Sequence, residues 1–74
     1  MSTIYITTLK GKTLIIYTYP SSTVEYIKER IFYKEGIPIE KQKLIYNGVE
    51  LEDNYYLKDY KIKDGDTIQL LENL

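Results

Sequence analysis

The sequence contains no cysteine and no histidine. Without cysteine there is no disulfide and no thiolate metal site to supplement a small core, and no positive sign of an oxidising compartment. Without histidine, the usual near-neutral proton carrier, the Ser-His and Cys-His nucleophile pairs and the commonest metal ligand are missing. A non-enzymatic chain with no metal and no cofactor is the expectation. A charge of one sign is also lacking: ten basic and eleven acidic residues are interspersed, for a net charge of -1. That leaves no electrostatic footprint for nucleic acid or an anionic membrane surface. No apolar run approaches the roughly 20 residues needed to span a bilayer, and no basic segment with a sustained apolar run opens the chain. A soluble monomer of the cytoplasm or nucleus, with neither nucleic acid nor membrane as partner, is expected.

What is present fits one small domain over residues 1–74. A chain of this size buries only about 60% of the surface its unfolded form exposes, so its margin of stability is thin. Nine tyrosines accompany a single phenylalanine. Each tyrosine hydroxyl needs water or a partner, which points many of these rings to the surface.

Two β-rich runs, Ile4-Tyr5-Ile6 and Leu14-Ile15-Ile16-Tyr17-Thr18-Tyr19, flank Lys10-Gly11 and predict a hairpin whose turn holds Gly11. Period two puts Ile4, Ile6, Leu14 and Ile16 on the buried face, with Tyr5, Ile15 and Tyr17 outward. Pro20-Ser21-Ser22-Thr23 ends the strand and supplies hydroxyls for a helix start. Ser22 with Glu25 matches a capping box, and Thr23 is an equally good cap. Val24, Ile27 and Ile31 form an apolar stripe, while Glu25, Lys28, Glu29 and Lys34 suit a wet face. Gly36 and Pro38 stop the helix near Glu35. Asn47-Gly48, between Lys43-Leu44-Ile45-Tyr46 and Val49-Glu50-Leu51, predicts a second hairpin with a type I′ turn. Residues 52–65 suggest a turn-rich crossover anchored by Leu57, Tyr60 and Ile62, and Thr67-Ile68-Gln69-Leu70-Leu71 a last strand with Ile68 and Leu70 inward. The order ββαββ plus a final strand, with no repeat or linker, indicates an α+β arrangement.

Gly11-Lys12-Thr13, Pro20-Ser21, Lys34-Glu35-Gly36-Ile37-Pro38, Leu44-Ile45, Leu51-Glu52-Asp53 and Leu57-Lys58-Asp59-Tyr60 resemble the corresponding segments of the ubiquitin family. Order and spacing agree without an internal gap from Ile4 to about Leu71, shifted by one residue at the start. The resemblance implies the β-grasp fold, a mixed sheet packed on one helix, which periodicity alone does not supply. It also implies an exposed apolar patch for protein partners. Leu9, Ile45, Gln69 and Leu71 occupy the family's patch positions, Gln69 in place of histidine, and Val49 stands where the family has a chain-linking lysine. The expected partners are proteins of the ubiquitin-receptor type carrying helical ubiquitin-binding motifs. The alternative is that these apolar residues are ordinary scattered surface hydrophobes. A second patch of Tyr5 and Ile15, with Tyr17 nearby, competes with a role in stabilising the sheet across strands. Tyr60 matches a tyrosine whose hydroxyl secures the crossover loop.

The resemblance weakens at the tail. Ubiquitin ends in Leu-Arg-Leu-Arg-Gly-Gly, whereas this chain reads Leu71-Glu72-Asn73-Leu74, with no Gly-Gly and with Asn73 in place of an arginine. Conjugation by the standard activating enzymes is therefore not expected. Lys12, Lys28 and Lys34 stand at linkage positions, but Val49, Asp64, Thr7 and Arg30 replace other linkage lysines. The competing expectation is a modifier unit of a polyubiquitin-type precursor, released or activated by flanking processing sequence, for example of an intein-like kind. An enzyme reading rests only on Asp53, Asp59, Asp64 and Asp66, which read more simply as turn caps.

Overall fold

A computed structural model describes residues 1–73. The first hairpin pairs β1 (Ser2–Thr8) with β2 (Thr13–Thr18) in antiparallel register, Ile4 opposite Ile16 and Ile6 opposite Leu14. Its turn closes with Gly11 N–H donating to Thr8 O, and Gly11 takes φ 83°, a left-handed value that favours a residue without a Cβ. The inward set of the sequence pattern is the buried set: Ile4, Ile6, Leu14 and Ile16 are all in the core.

Helix α1 (Val24–Glu35) starts at Thr23, whose hydroxyl accepts from Tyr26 N–H at 3.1 Å. Of the two candidate caps, the structure uses Thr23; Ser22 instead accepts from Tyr19 N–H, tightening the turn before the helix. Gly36 ends α1 in the left-handed conformation, its N–H returning to Phe32 O. Val24, Ile27 and Ile31 face the core as the spacing predicts.

Lys28 departs from the pattern. It is buried rather than on the wet face, and its Nζ lies 2.6 Å from Asp53 Oδ1 in the loop after the second hairpin. A long side chain can pack its methylenes against apolar neighbours while its ammonium finds a carboxylate, a pairing that helical periodicity does not reveal. Asp53 thus bridges to the helix instead of capping a turn. Its own carbonyl accepts from Glu25 N–H, so this loop is tied to the first turn of α1 as well.

A short 3-10 turn, Ile39–Lys41, leads into β3 (Gln42–Tyr46). Gln42 is buried and donates through Nε2 to the carbonyls of Lys28 and Ile37, both at 2.9 Å, fastening the start of β3 to the helix and the loop after it. Asn47 and Gly48 have φ of 52° and 79°, the pair of positive values required by a type I′ turn, and β4 (Val49–Glu50) follows. A second 3-10 turn, Leu57–Tyr60, pins the crossover: Leu57 and Ile62 are buried, and Glu52 N–H donates to Tyr60 Oη at 3.0 Å. The last strand, β5 (Thr67–Glu72), enters between β1 and β3, giving the order β2-β1-β5-β3-β4. β1 and β5 run parallel while every other pair is antiparallel. This is the α+β mixed sheet on one helix expected of a β-grasp fold, with its apolar core between α1 and the inner face of the sheet.

The edge of β3 is fastened to the turn before β5 by Tyr46 Oη, which donates to Asp66 Oδ2 at 2.7 Å while Lys63 N–H donates to the same oxygen at 2.8 Å. The Lys63 N–H, then the Tyr46 hydroxyl, hold the Asp66 carboxyl below its ordinary 3.8. The bond to Asp66 raises the Tyr46 hydroxyl above its ordinary 10.0. A depressed carboxyl stabilises the fold above its unfolded pKa, and that stabilisation is lost as pH falls through the folded value. A raised hydroxyl stabilises it below its unfolded pKa, and that part is lost as pH rises through the folded value. Relative to the parent, Tyr46→Phe is expected to remove this pair's alkaline loss and to shrink, without abolishing, the acid one, since Lys63 N–H remains. Melting temperatures of both chains from acid to alkaline pH measure the difference; parallel profiles at both ends would contradict it.

Candidate partner-binding face

Strand register assembles the outer face of the sheet. Gln69 on β5 lies opposite Ile45 on β3 and, on its other side, opposite Thr7 on β1. Two residues along β5, on the same face, Leu71 lies opposite Lys43. Ile45 is also opposite Glu50 of β4. Ile45, Gln69 and Leu71 therefore form one contiguous surface, half-buried at Ile45 and Leu71 and exposed at Gln69. Leu9, at the tip of the first turn, is 76% exposed. It overhangs a groove of about 610 Å³ that it shares with Leu70 and Glu72 of β5 and with Ile37 and Pro38 after the helix. Thr8 pairs with Leu70, so the structure brings Leu9 to the end of β5.

Val49 is placed differently from the other four. It pairs with Tyr46, one residue out of step with Ile45, and is exposed at the tip of the second hairpin. It lies at the margin of the surface. Lys43 and Glu50 are neighbours that the sequence pattern alone did not single out, because only the β3 register reveals them. They give the apolar centre a rim of mixed charge, the usual anatomy of a protein-protein interface.

The second cluster lies across the same sheet. Tyr5 sits opposite Ile15, and Ile15 and Tyr17 are exposed on β2. The lysines differ among themselves. Lys12 Nζ pairs with Glu35 at 2.9 Å on the surface, Lys28 is buried against Asp53, and Lys34 is exposed in the last turn of α1. Each of the four candidate carboxylates has a structural contact: Asp53 with Lys28, Asp59 with Tyr56 N–H, Asp64 with Thr3 N–H, and Asp66 with Tyr46 and Lys63. They do not converge, and among the described residues no group of acidic side chains has the geometry of a metal site.

A mixed five-stranded sheet over one helix agrees with the family profile described as the ubiquitin family, which matches residues 4–74. The chain belongs to the ubiquitin family. Among its relatives, AN1-type zinc finger protein 4 of Mus musculus is 43% identical over 92% of this chain, which spans only 9% of the mouse protein. Ubiquitin-like protein NEDD8 of Dictyostelium discoideum is 37% identical over 92% of this chain and is spanned to 88% of its length. Ubiquitin domain-containing protein DSK2 of Saccharomyces cerevisiae is 41% identical over 73% of this chain, which spans 14% of that protein. The ubiquitin family thus includes both relatives of about this size and relatives in which such a domain is a small part. Among the described residues, no helix of this ubiquitin-like chain is long and apolar enough to cross a membrane.

Proposed function

We propose that residues 1–74 act as a single ubiquitin-like interaction domain of the cytoplasm or nucleus, recognised by proteins that carry helical ubiquitin-binding motifs. The observation that carries this reading is the adjacency of Ile45, Gln69 and Leu71 on the outer face, with Leu9 at the end of β5. Half-buried apolar side chains with a polar rim can be desolvated at modest cost, and an amphipathic helix presents the matching apolar stripe. Val49 adds apolar area at the margin without adding charge. Gln69 keeps a hydrogen-bonding side chain that does not titrate, so affinity at this position does not change with protonation near neutral pH.

The test is a titration of the isotope-labelled chain with a helical ubiquitin-binding peptide. Amide shifts are expected at Leu9, Ile45, Gln69 and Leu71, and Ile45→Ala is expected to weaken binding about tenfold or more, as for a central interface residue. Shifts confined to other faces, or unchanged affinity in the variant, would sink the proposal.

In this reading the chain is not conjugated by the standard route, because Glu72 and Asn73 bring an acidic and a neutral residue to a segment where ubiquitin carries arginine. The second reading is a modifier unit released from a polyubiquitin-type precursor. It is favoured by the near-equal length of relatives such as the Dictyostelium NEDD8, 88% of which this chain spans. Incubation of the precursor-derived chain with activating enzyme and ATP separates the two: a thiol-sensitive adduct supports the modifier, and its absence supports the interaction domain. Lys34 and Lys12 are the linkage positions whose amines reach the surface, whereas the Lys28 amine does not.

A further inference from the structure

Strand β2 forms one edge of the sheet and pairs only with β1. The bond from Thr8 N–H to Lys12 O sets the phase of that ladder. It directs the polar groups of Leu14, Ile16 and Thr18 toward β1, and those of Thr13, Ile15 and Tyr17 away from the sheet. Among the described residues, the N–H groups of Thr13, Ile15 and Tyr17 make no other hydrogen bond.

Edges of this kind are normally protected by lysine, proline, a bulge or an inward charge. Thr13-Leu14-Ile15-Ile16-Tyr17-Thr18 has none of these: all six residues are uncharged, and five are β-branched or aromatic. The other edge differs, since β4 has only two residues and one is Glu50. The nearest charge beside β2, Lys12, is already paired with Glu35.

We propose that β2 is an interface between two copies of this chain, joined edge to edge as antiparallel strands about a two-fold axis at Ile15. In that register Ile15 lies opposite Ile15 of the second copy, Thr13 opposite Tyr17, and Leu14 opposite Ile16. Each outward N–H meets an outward carbonyl, and no like charges are juxtaposed. Same-face pairing is preserved, so the two sheets continue into one another. The outer row becomes Tyr5, Ile15, Ile15, Tyr5, built from β-branched and aromatic neighbours that stabilise strand pairs. This gives the Tyr5 and Ile15 cluster an occupant, a second copy, at a site separate from Ile45. Pairing consumes the edge in both copies, so the assembly closes at two. The monomer expected from the sequence is then the dilute state.

Sedimentation of the full chain from micromolar to millimolar concentration is the test. The mass is expected to rise from one 8.8 kDa chain toward two and no further. Ile15→Lys places two ammonium groups face to face on the axis, and is expected to hold the mass at one chain while circular dichroism shows the fold retained. Independently of that variant, a nitroxide at Lys10→Cys, mixed with an isotope-labelled copy, is expected to broaden amides around Ser21 of the second copy, because this register brings residue 10 opposite residue 20. A single-chain mass at millimolar concentration, a dimer that survives Ile15→Lys, growth beyond two copies, or broadening centred elsewhere overturns the proposal. Binding at Ile45 is read in a separate titration, so either result stands without the other.

Discussion

Ile27→Ala is expected to destabilise the folded chain by about 2–5 kcal/mol, the range for deleting a large buried aliphatic side chain. Ile27 is fully buried in the first turn of α1, in the stripe that meets the sheet. Removing its outer carbons loses transfer free energy and leaves a void. That void collapses poorly here, because Gln42 fastens Lys28 and the segment after the helix to β3, and Asp53 fastens Lys28 to the loop after the second hairpin. A domain of this size has roughly a third of its total stability at stake in such a change. In urea, the transition midpoint should fall sharply with the slope unchanged, which marks lost stability rather than an altered unfolded state. A loss under about 1 kcal/mol would mean the helix repacks freely over the sheet.

The second large effect is asymmetric. Lys28 and Asp53 form one ion pair, but their side chains are 9% and 48% exposed. Asp53→Ala leaves an ammonium buried without its counter-ion, so a loss of about 3 kcal/mol is expected, at the lower end of the range for breaking a buried pair. Lys28→Met keeps the aliphatic stem packed and leaves a carboxylate that water already reaches, so its cost should be about 1 kcal/mol. The two urea midpoints give the comparison, and equal losses would contradict this account. The same burial predicts that the Lys28 amine acylates far more slowly than that of Lys34 in the native chain.

Much of the fold was legible locally. Gly11 and Asn47-Gly48 mark turns whose positive φ values favour those residues, and the Val24, Ile27 and Ile31 spacing marks the buried helix face. Strand order was not legible in this way, because parallel pairing of β1 with β5 joins the chain's two ends and has no local signal. It entered through resemblance to the ubiquitin family. Lys28 was misplaced for a related reason: a charged residue in a helical pattern reads as wet unless its distant partner is known. Gln42 likewise has a polar side chain whose use depends on two carbonyls far away in sequence. For the outer face, Ile45, Gln69 and Leu71 were named by family position, while their neighbours Lys43 and Glu50 needed the register. The edge chemistry of β2 was present in the sequence throughout, but which strand lies at an edge is a property of topology.

The parallel contact between β1 and β5 also has a consequence for the order of events during synthesis. Tyr5 pairs with Thr67, and Ile6 with Ile68, so within this domain the two paired strands are the first and the last to leave the ribosome. While translation continues, the first hairpin and α1 can form, but their apolar surface stays uncovered on the side that β5 will fill. A nascent chain stalled with Thr67 still inside the exit tunnel therefore lacks the central strand of its own sheet. Emergence of β5 completes the fold in one late step, and any protein fused ahead of this domain has time to fold before it does.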